Sequence, residues 1–314
     1  MIDWQEGMSK YRAILIAGPT ASGKSQLALD IAEKVDGVIV NADSMQVYED
    51  LQVLTARPSI NDLETAPHAL YGFVPGDTPY SASKFAQDAE KVIAECVESG
   101  RLPILVGGTG LYFRALLEGL SPIPQIPRTL RHHWRSEAQR LPPGQLHAIL
   151  SGKDPTMAAR LHPKDTQRLV RALEVIDATG QSLAEWQRIP GVPVIPPSAT
   201  VKIVIDMPRD ELYQRSDTRF DQMLAAGAID EVVALSKKKY DPSLPIMRAL
   251  GVQPLLAHIR GDIGLAAAVE ATKTETRHYI KRQLTWLRSN MMSWKWISPQ
   301  QLESLTDNIL PIMH

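Results

Sequence analysis

The sequence predicts an α/β protein, a parallel sheet flanked by helices and carrying a helical insertion domain. Three observations carry that expectation. Short apolar runs, AILIA (13–17), GVIVN (37–41), PILVG (103–107) and VKIVIDM (201–207), alternate with longer helix-period segments, as strands covered on both faces do. The first run passes through the glycine-containing turn GPTASGKS into a helical pattern, which makes the sheet P-loop NTPase-like. Two proline-rich stretches, SPIPQIP (121–127) and IPGVPVIPP (189–197), frame helical patterns with no convincing strand between them.

Element by element, SQLALDIAEKV places Leu27, Ile31 and Val35 four apart on one helix face. The segment from Ser81 to Gly100 has a serine start and a glycine stop. Within the framed stretch, Asp165 to Gly180 is the clearest helix, with Leu169, Leu173 and Ile176 at helical spacing. The expected organisation is therefore a catalytic core of 1–120 and 198–314 with an insertion at 121–197, although the same prolines would also punctuate the loops of one domain. After the strand at 201, a helix runs from Pro208 to Gly227, and a long helical segment spans about 263–288. WKWIS (294–298) is a further short strand candidate.

The bulk composition narrows the class. The chain has 314 residues, 44% of them hydrophobic, enough for a large core. Positive and negative side chains number 34 and 35, so any nucleic-acid surface has to be local. The single cysteine, Cys96, cannot form an internal disulfide, and the start MIDWQEGMSKYR lacks the basic-then-apolar pattern of a signal peptide. Together with the lack of any apolar run near the roughly 20 residues that cross a bilayer, this leads to the expectation of a cytoplasmic protein with no membrane partner. A monomer is expected.

Gly18, Gly23, Lys24 and Ser25 fit G-x-x-x-x-G-K-[ST], with Pro19, Thr20, Ala21 and Ser22 between them. Inward-turned amides and a helix N-terminus suit a diphosphate, Lys24 suits an outer phosphate, and the Ser25 hydroxyl suits Mg²⁺. Asp43, after the second strand, is placed to act as a base or merely to cap a turn. An ATP-using small-molecule kinase is a competing reading, with Asp206 as metal carboxylate and Arg128, Arg131 and Arg135 as a lid. On the last long helix, Arg277, Lys281 and Arg288 share one face beside an apolar stripe of Ile280, Leu284 and Leu287.

GPTASGKS, NADSMQVY, LVGGTGLYFRALLEGLSP, HPKDTQRLVRALEV and KRQLTWLR occur together in this order. In this the chain closely resembles the bacterial tRNA dimethylallyltransferases, also called tRNA isopentenylpyrophosphate transferases, from about residue 12 to about 300. The resemblance implies that the loop holds the diphosphate of dimethylallyl diphosphate as a leaving group. The prenyl group would pass to N6 of the adenosine just 3′ of a tRNA anticodon, with Asp43 as base. It further implies that Arg219 and Thr20 reach the diphosphate, that Asp43, Ser44, Met45 and Gln46 bind the target base, and that Thr109 lines the channel where the substrates meet. Contacts to the tRNA anticodon stem-loop are implied for Arg131, Gln167, Arg168, Arg171, Arg248, Gly251, Arg277, Lys281, Arg282, Gln283, Trp286 and Arg288. The segment RALGVQP departs from the family pattern R-x-x-G-Y-[KR]-[QE], with Val252 in place of the aromatic and Gln253 at the basic position. A prenyltransferase acting on free adenine nucleotides is the nearer alternative; it would have no use for the RNA-type surfaces.

Overall fold

β1 (Ala13–Ala17) is buried at all five positions because both faces of its sheet are covered. The computed structural model describes residues 12–301; the reading of the start MIDWQEGMSKY lies outside them. Five further strands, β2 (Gly37–Asn41), β3 (His68–Ala69), β4 (Leu102–Gly107), β5 (Thr200–Ile205) and β6 (Lys295–Ile297), complete one sheet in the order β3-β2-β4-β1-β5-β6. Every neighbouring pair is parallel. The four strands expected from apolar runs and the candidate at 294–298 are all present. β3 was not foreseen, since two half-buried edge residues carry no apolar run.

Strand alternation sorts the core into two layers. Ala13, Leu15 and Ala17 face one way with Leu105 and Val204, against Phe85, Phe113 and Leu116. Ile14 and Ile16 face the other with Ile104, Val106 and Ile203, against Leu27, Ala28 and Ile31. The second layer is covered by the helix Lys24–Val35, and the first by the helices Ala82–Glu98 and Gly110–Leu117. Ser81 caps Ala82–Glu98 by accepting from the Lys84 amide, and Gly100 turns left-handed just beyond its end. A third cluster joins Val47, Tyr48 and Leu51 to Phe220, Val232, Val252 and Leu255. It lies under the helices Arg209–Ala225, Ala228–Lys237, Val252–Ile259 and Leu265–Asn290.

The chain divides into two compact units, Glu118–Pro193 and the remainder. The sequence set the second boundary at 197. It falls earlier because the amides of Val194 and Ile195 bond to the Leu116 carbonyl, and Ile195 is fully buried in the sheet core. The Glu118–Pro193 unit is helical, with Trp134, Leu150, Leu169 and Leu173 at its centre. Its helix Thr166–Thr179 is capped by Asp165, which accepts from the Arg168 amide at 3.2 Å, and ends at left-handed Gly180.

At the end of β4, a Cβ on Gly107 would lie 2.0 Å from the Ala42 carbonyl oxygen, so only glycine lets the two strand ends close. Gly107→Ala is therefore expected to destabilise the core by roughly 1–3 kcal/mol. In urea unfolding this reads as a lower midpoint with an unchanged slope, and an unshifted midpoint contradicts it.

Candidate active site

The three central strands end at one edge of the sheet, and the site is built on the turns that follow them. After β1 comes the loop Gly18–Ser25. Ala21 at φ 65° and Gly23 at φ 88° are left-handed, which folds the loop into a concave nest of amides. Gly23 caps the helix Lys24–Val35 without a side chain, leaving its first-turn amides open to an anion. The loop is buried at Gly18, Pro19 and Ser22, and exposed at Ser25. The Ser22 hydroxyl is buried without a hydrogen-bond partner.

Arg219, from the helix Arg209–Ala225, donates to the Thr20 hydroxyl. Its Nε is buried and unpartnered. Lys24 donates to the Pro19 carbonyl at 3.2 Å. Burial lowers the Lys24 ammonium to about 8; Asp43 opposes the shift and Arg219 adds to it. Burial likewise lowers Arg219, with Asp43 opposing. A lysine, an arginine and a carboxylate thus share one sparsely solvated field.

Asp43 follows β2 and is half-buried. Its amide donates to the fully buried Asn41 side chain at 2.8 Å, while the Asn41 amide group donates to the Asp43 and Leu70 carbonyls at 3.0 Å each. One carboxylate oxygen accepts from the Met45 amide at 2.9 Å. Tyr71, Tyr112 and Tyr279 surround this charge: burial first, and then Asp43, push their phenols above the ordinary range. Asn41 and these tyrosines escaped the sequence reading. The signal for Asn41 was a polar residue closing an apolar strand.

After β4, Thr109 accepts from the Ser44 amide at 3.0 Å and donates to the Ser44 hydroxyl at 3.3 Å, so it stands against the residue following Asp43. Gln46 donates to the Thr55 and Ala56 carbonyls at 2.8 and 2.9 Å. Met45 is half-buried against the third cluster. Ser25, Gln46, Arg57, His68 and Tyr71 line a cavity of about 200 Å³, which joins the loop to the strip after Asp43.

For a metal, the residues offer one exposed hydroxyl, Ser25, beside the open amides. Among the described residues no group of three or more His, Cys, Asp or Glu could hold a metal ion. A single hydroxyl completed by diphosphate oxygens fits a hard divalent cation, which takes few protein ligands when phosphates supply the rest. Asp206 is exposed just past β5.

The helix Leu265–Asn290 buries Ile280, Leu284 and Leu287 as its periodicity required. Lys281, Arg282 and Arg288 are exposed, and Arg282 lies over the Tyr279 ring at 5.6 Å. Arg277, expected on the same open row, is instead paired with Asp217 at 2.5 Å and Glu270 at 3.5 Å, bracing the helix that carries Arg219. Gln283, expected among RNA contacts, is buried against the loop. Trp286 is half-buried, its ring 2.0 Å from where a Gly110 Cβ would stand. Arg248 is exposed and Gly251 caps the helix Val252–Ile259. Val252 is fully buried in the third cluster, so the departure from the aromatic is a matter of core packing. Gln253 is exposed and bonds to the Met247 carbonyl at 2.8 Å. In the Glu118–Pro193 unit, Arg128, Arg135, Gln167 and Arg168 are exposed, Arg131 is half-buried, and Arg171 pairs with Glu174 at 3.5 Å.

Residues 46–290 match the family model described as IPP transferase, and residues 11–70 that described as isopentenyl transferase. The chain is 47% identical to a tRNA dimethylallyltransferase of Nitrobacter hamburgensis over 95% of this chain and 94% of that protein. It is 50% identical to one of Parvibaculum lavamentivorans, over 95% of each. Among solved structures it resembles the tRNA isopentenylpyrophosphate transferase of Bacillus halodurans, with TM-score 0.69, 31% identity and coverage of 96% and 97% of the two chains. It also resembles a eukaryotic dimethylallyltransferase acting on tRNA, with TM-score 0.77, 28% identity and coverage of 92% of this chain and 74% of the other.

The lowered Lys24 sets a pH dependence. Its charge is half lost at about 8 and falls away as pH rises further, while a bound anion holds the proton on. The advantage of the native protein over Lys24→Met in binding inorganic diphosphate is therefore expected to shrink as pH rises from 7 to 9. Calorimetric titration of both proteins at the two pH values checks this; an unchanged ratio of affinities contradicts it.

Proposed function

The chain belongs to the IPP transferase family, and from that premise we propose that it transfers the dimethylallyl group of dimethylallyl diphosphate to N6 of the adenosine 3′ of the anticodon in tRNA. The observation that carries the reading is the meeting of three parts at one sheet edge. These are an amide nest with Lys24 and Arg219, a carboxylate at Asp43, and the Thr109 turn beside it.

An exocyclic adenine amine is a poor nucleophile because its lone pair is delocalised into the ring. As its nitrogen bonds to the allylic carbon, the carbon–oxygen bond to diphosphate breaks and Asp43 takes the amine proton. The departing diphosphate gathers negative charge, which Lys24, Arg219, the Thr20 hydroxyl and the open amides are preorganised to stabilise. Mg²⁺, held by Ser25 and the diphosphate, would neutralise part of that charge. The desolvated setting of Lys24 and Arg219 keeps these interactions strong.

To reach the site, the target base leaves its stack in the anticodon loop. Ser44, Met45 and Gln46 follow Asp43 directly; Ser44 is bonded to Thr109 and Gln46 lines the cavity. Lys281, Arg282 and Arg288, with Arg248 and the exposed Gln167 and Arg168 of the helical unit, are the proposed anticodon stem-loop contacts. The ion-paired Arg277 acts chiefly as a brace for the Arg219 helix. The kinase reading has no family support, and its Asp206 lies exposed past β5. No helix among the described residues is long and apolar enough to cross a membrane; a monomer in the cytoplasm completes the reading.

Incubation with unmodified tRNA and labelled dimethylallyl diphosphate, with ATP as rival donor, is expected to label the tRNA. Label passing only from ATP to a small molecule would end the reading. Asp43→Ala is expected to lower turnover by about 10²–10⁴ with little change in diphosphate affinity; unchanged turnover shows that it is not the base. Neutralising Lys281 and Arg288 together is expected to weaken tRNA binding and to flatten its salt dependence by roughly one logarithmic unit per lost phosphate contact. An unaltered slope would make this face merely solvated.

A further inference from the structure

Gln283 lies on the helix Leu265–Asn290 and is 6% exposed. Both ends of its amide are used. Oε1 accepts from the Thr20 amide at 2.9 Å, and Nε2 donates to the Gly108 carbonyl at 3.1 Å. Thr20 belongs to the diphosphate loop, and its hydroxyl is held by Arg219. Gly108 precedes Thr109, whose hydroxyl meets Ser44 beside Asp43. The fit is close: a Cβ on Gly108 would lie 2.2 Å from Gln283 Nε2, so the turn is glycine where this side chain enters.

We infer that Gln283 is a positioning residue for the transfer reaction, a single side chain that sets the diphosphate loop against the turn bearing Thr109. The inference rests on the prenyl-transfer reading of the site. Two consequences follow from the bonding. The Thr20 amide is committed to Gln283 and the Ser22 amide to the Pro19 carbonyl, so the anion cradle consists of the other loop amides and the helix N-terminus. And the loop's position is referred to the same helix that exposes Lys281, Arg282 and Arg288. A leucine at 283 would fill similar space and leave the Thr20 amide and Gly108 carbonyl without partners. A glutamate would keep the acceptor and, when protonated, regain the donor.

The test measures three quantities on Gln283→Leu and Gln283→Glu: binding of inorganic diphosphate with Mg²⁺ in the absence of tRNA, binding of tRNA in the absence of donor, and kcat and KM for dimethylallyl diphosphate. Gln283→Leu is expected to lose about tenfold in diphosphate affinity, with kcat reduced as well, while tRNA affinity stays within about twofold. Gln283→Glu is expected to recover activity relative to the native protein as pH falls from 8 to 5.5. The charged groups of the cradle, Lys24, Arg219 and Asp43, are present in both proteins, so their effects largely cancel in that ratio.

Unchanged diphosphate binding in Gln283→Leu, whether or not tRNA affinity falls, overturns the inference. If the leucine protein does not fold, the glutamate protein decides, and the lack of acid-side recovery overturns it. Should the native protein bind diphosphate but transfer no prenyl group, the function fails. A diphosphate defect in Gln283→Leu would then still show that the side chain positions the loop.

Discussion

The parallel direction of β2, β4 and β1 is the constraint on which the site depends. In a parallel ladder neighbouring strands finish at the same edge, so the turns bearing Asp43, Thr109 and the diphosphate loop are brought side by side without further adjustment. A five-residue strand spans about 16 Å. Reversing any one of the three would carry its turn to the far side of the sheet, beyond hydrogen-bond reach. The ladder is secured by burial of β1 throughout and of β2 and β4 at all but one position each, so that a slip in register would disrupt the packing of side chains against the covering helices.

Electrostatics completes what geometry begins. Lys24 and Arg219 stand together although each lowers its own tendency to be charged by being buried; Asp43 offsets this from the neighbouring turn. The arrangement has a sense of direction. In the proposed reaction the positive groups would meet the departing diphosphate and the carboxylate would take the proton of the incoming amine. Both ends of the displacement would then be served from one low-dielectric field, where each interaction is worth more than in water. The phenols of Tyr71, Tyr112 and Tyr279 stay neutral around Asp43 and add no competing charge.

The helix Leu265–Asn290 links this interior to the surface. At 3.6 residues per turn it divides its side chains among three tasks. Ile280, Leu284 and Leu287 anchor it, Gln283 and Trp286 meet the glycine turn after β4, and Lys281, Arg282 and Arg288 face outward. Arg277 and Lys273 tie it through Asp217 and Asp221 to the helix of Arg219. Two arms of the cradle, Arg219 and Gln283, are therefore set by one helix pair.

The strands, the larger helices and the diphosphate loop were legible in the sequence because each is local: an apolar run, a 3.6-residue stripe or a contiguous motif reports on itself. β3 was not, since two residues at an edge carry no pattern. The Glu118–Pro193 boundary was blurred because prolines mark turns in either unit, whereas burial of Ile195 decides. Arg277 looked like a member of the exposed basic row with Lys281 and Arg288, and Gln283 entered only as an RNA contact implied by the family resemblance; neither its bond to Thr20 nor the Arg277–Asp217 pair has a local signal. What the sequence determined by itself is the inventory of elements and of chemically able side chains. Which of those side chains are free for substrate and which are committed was decided only by the tertiary structure. The Gln283–Thr20 bond joins residues 263 positions apart, and a contact at that separation follows from packing, not from any local pattern.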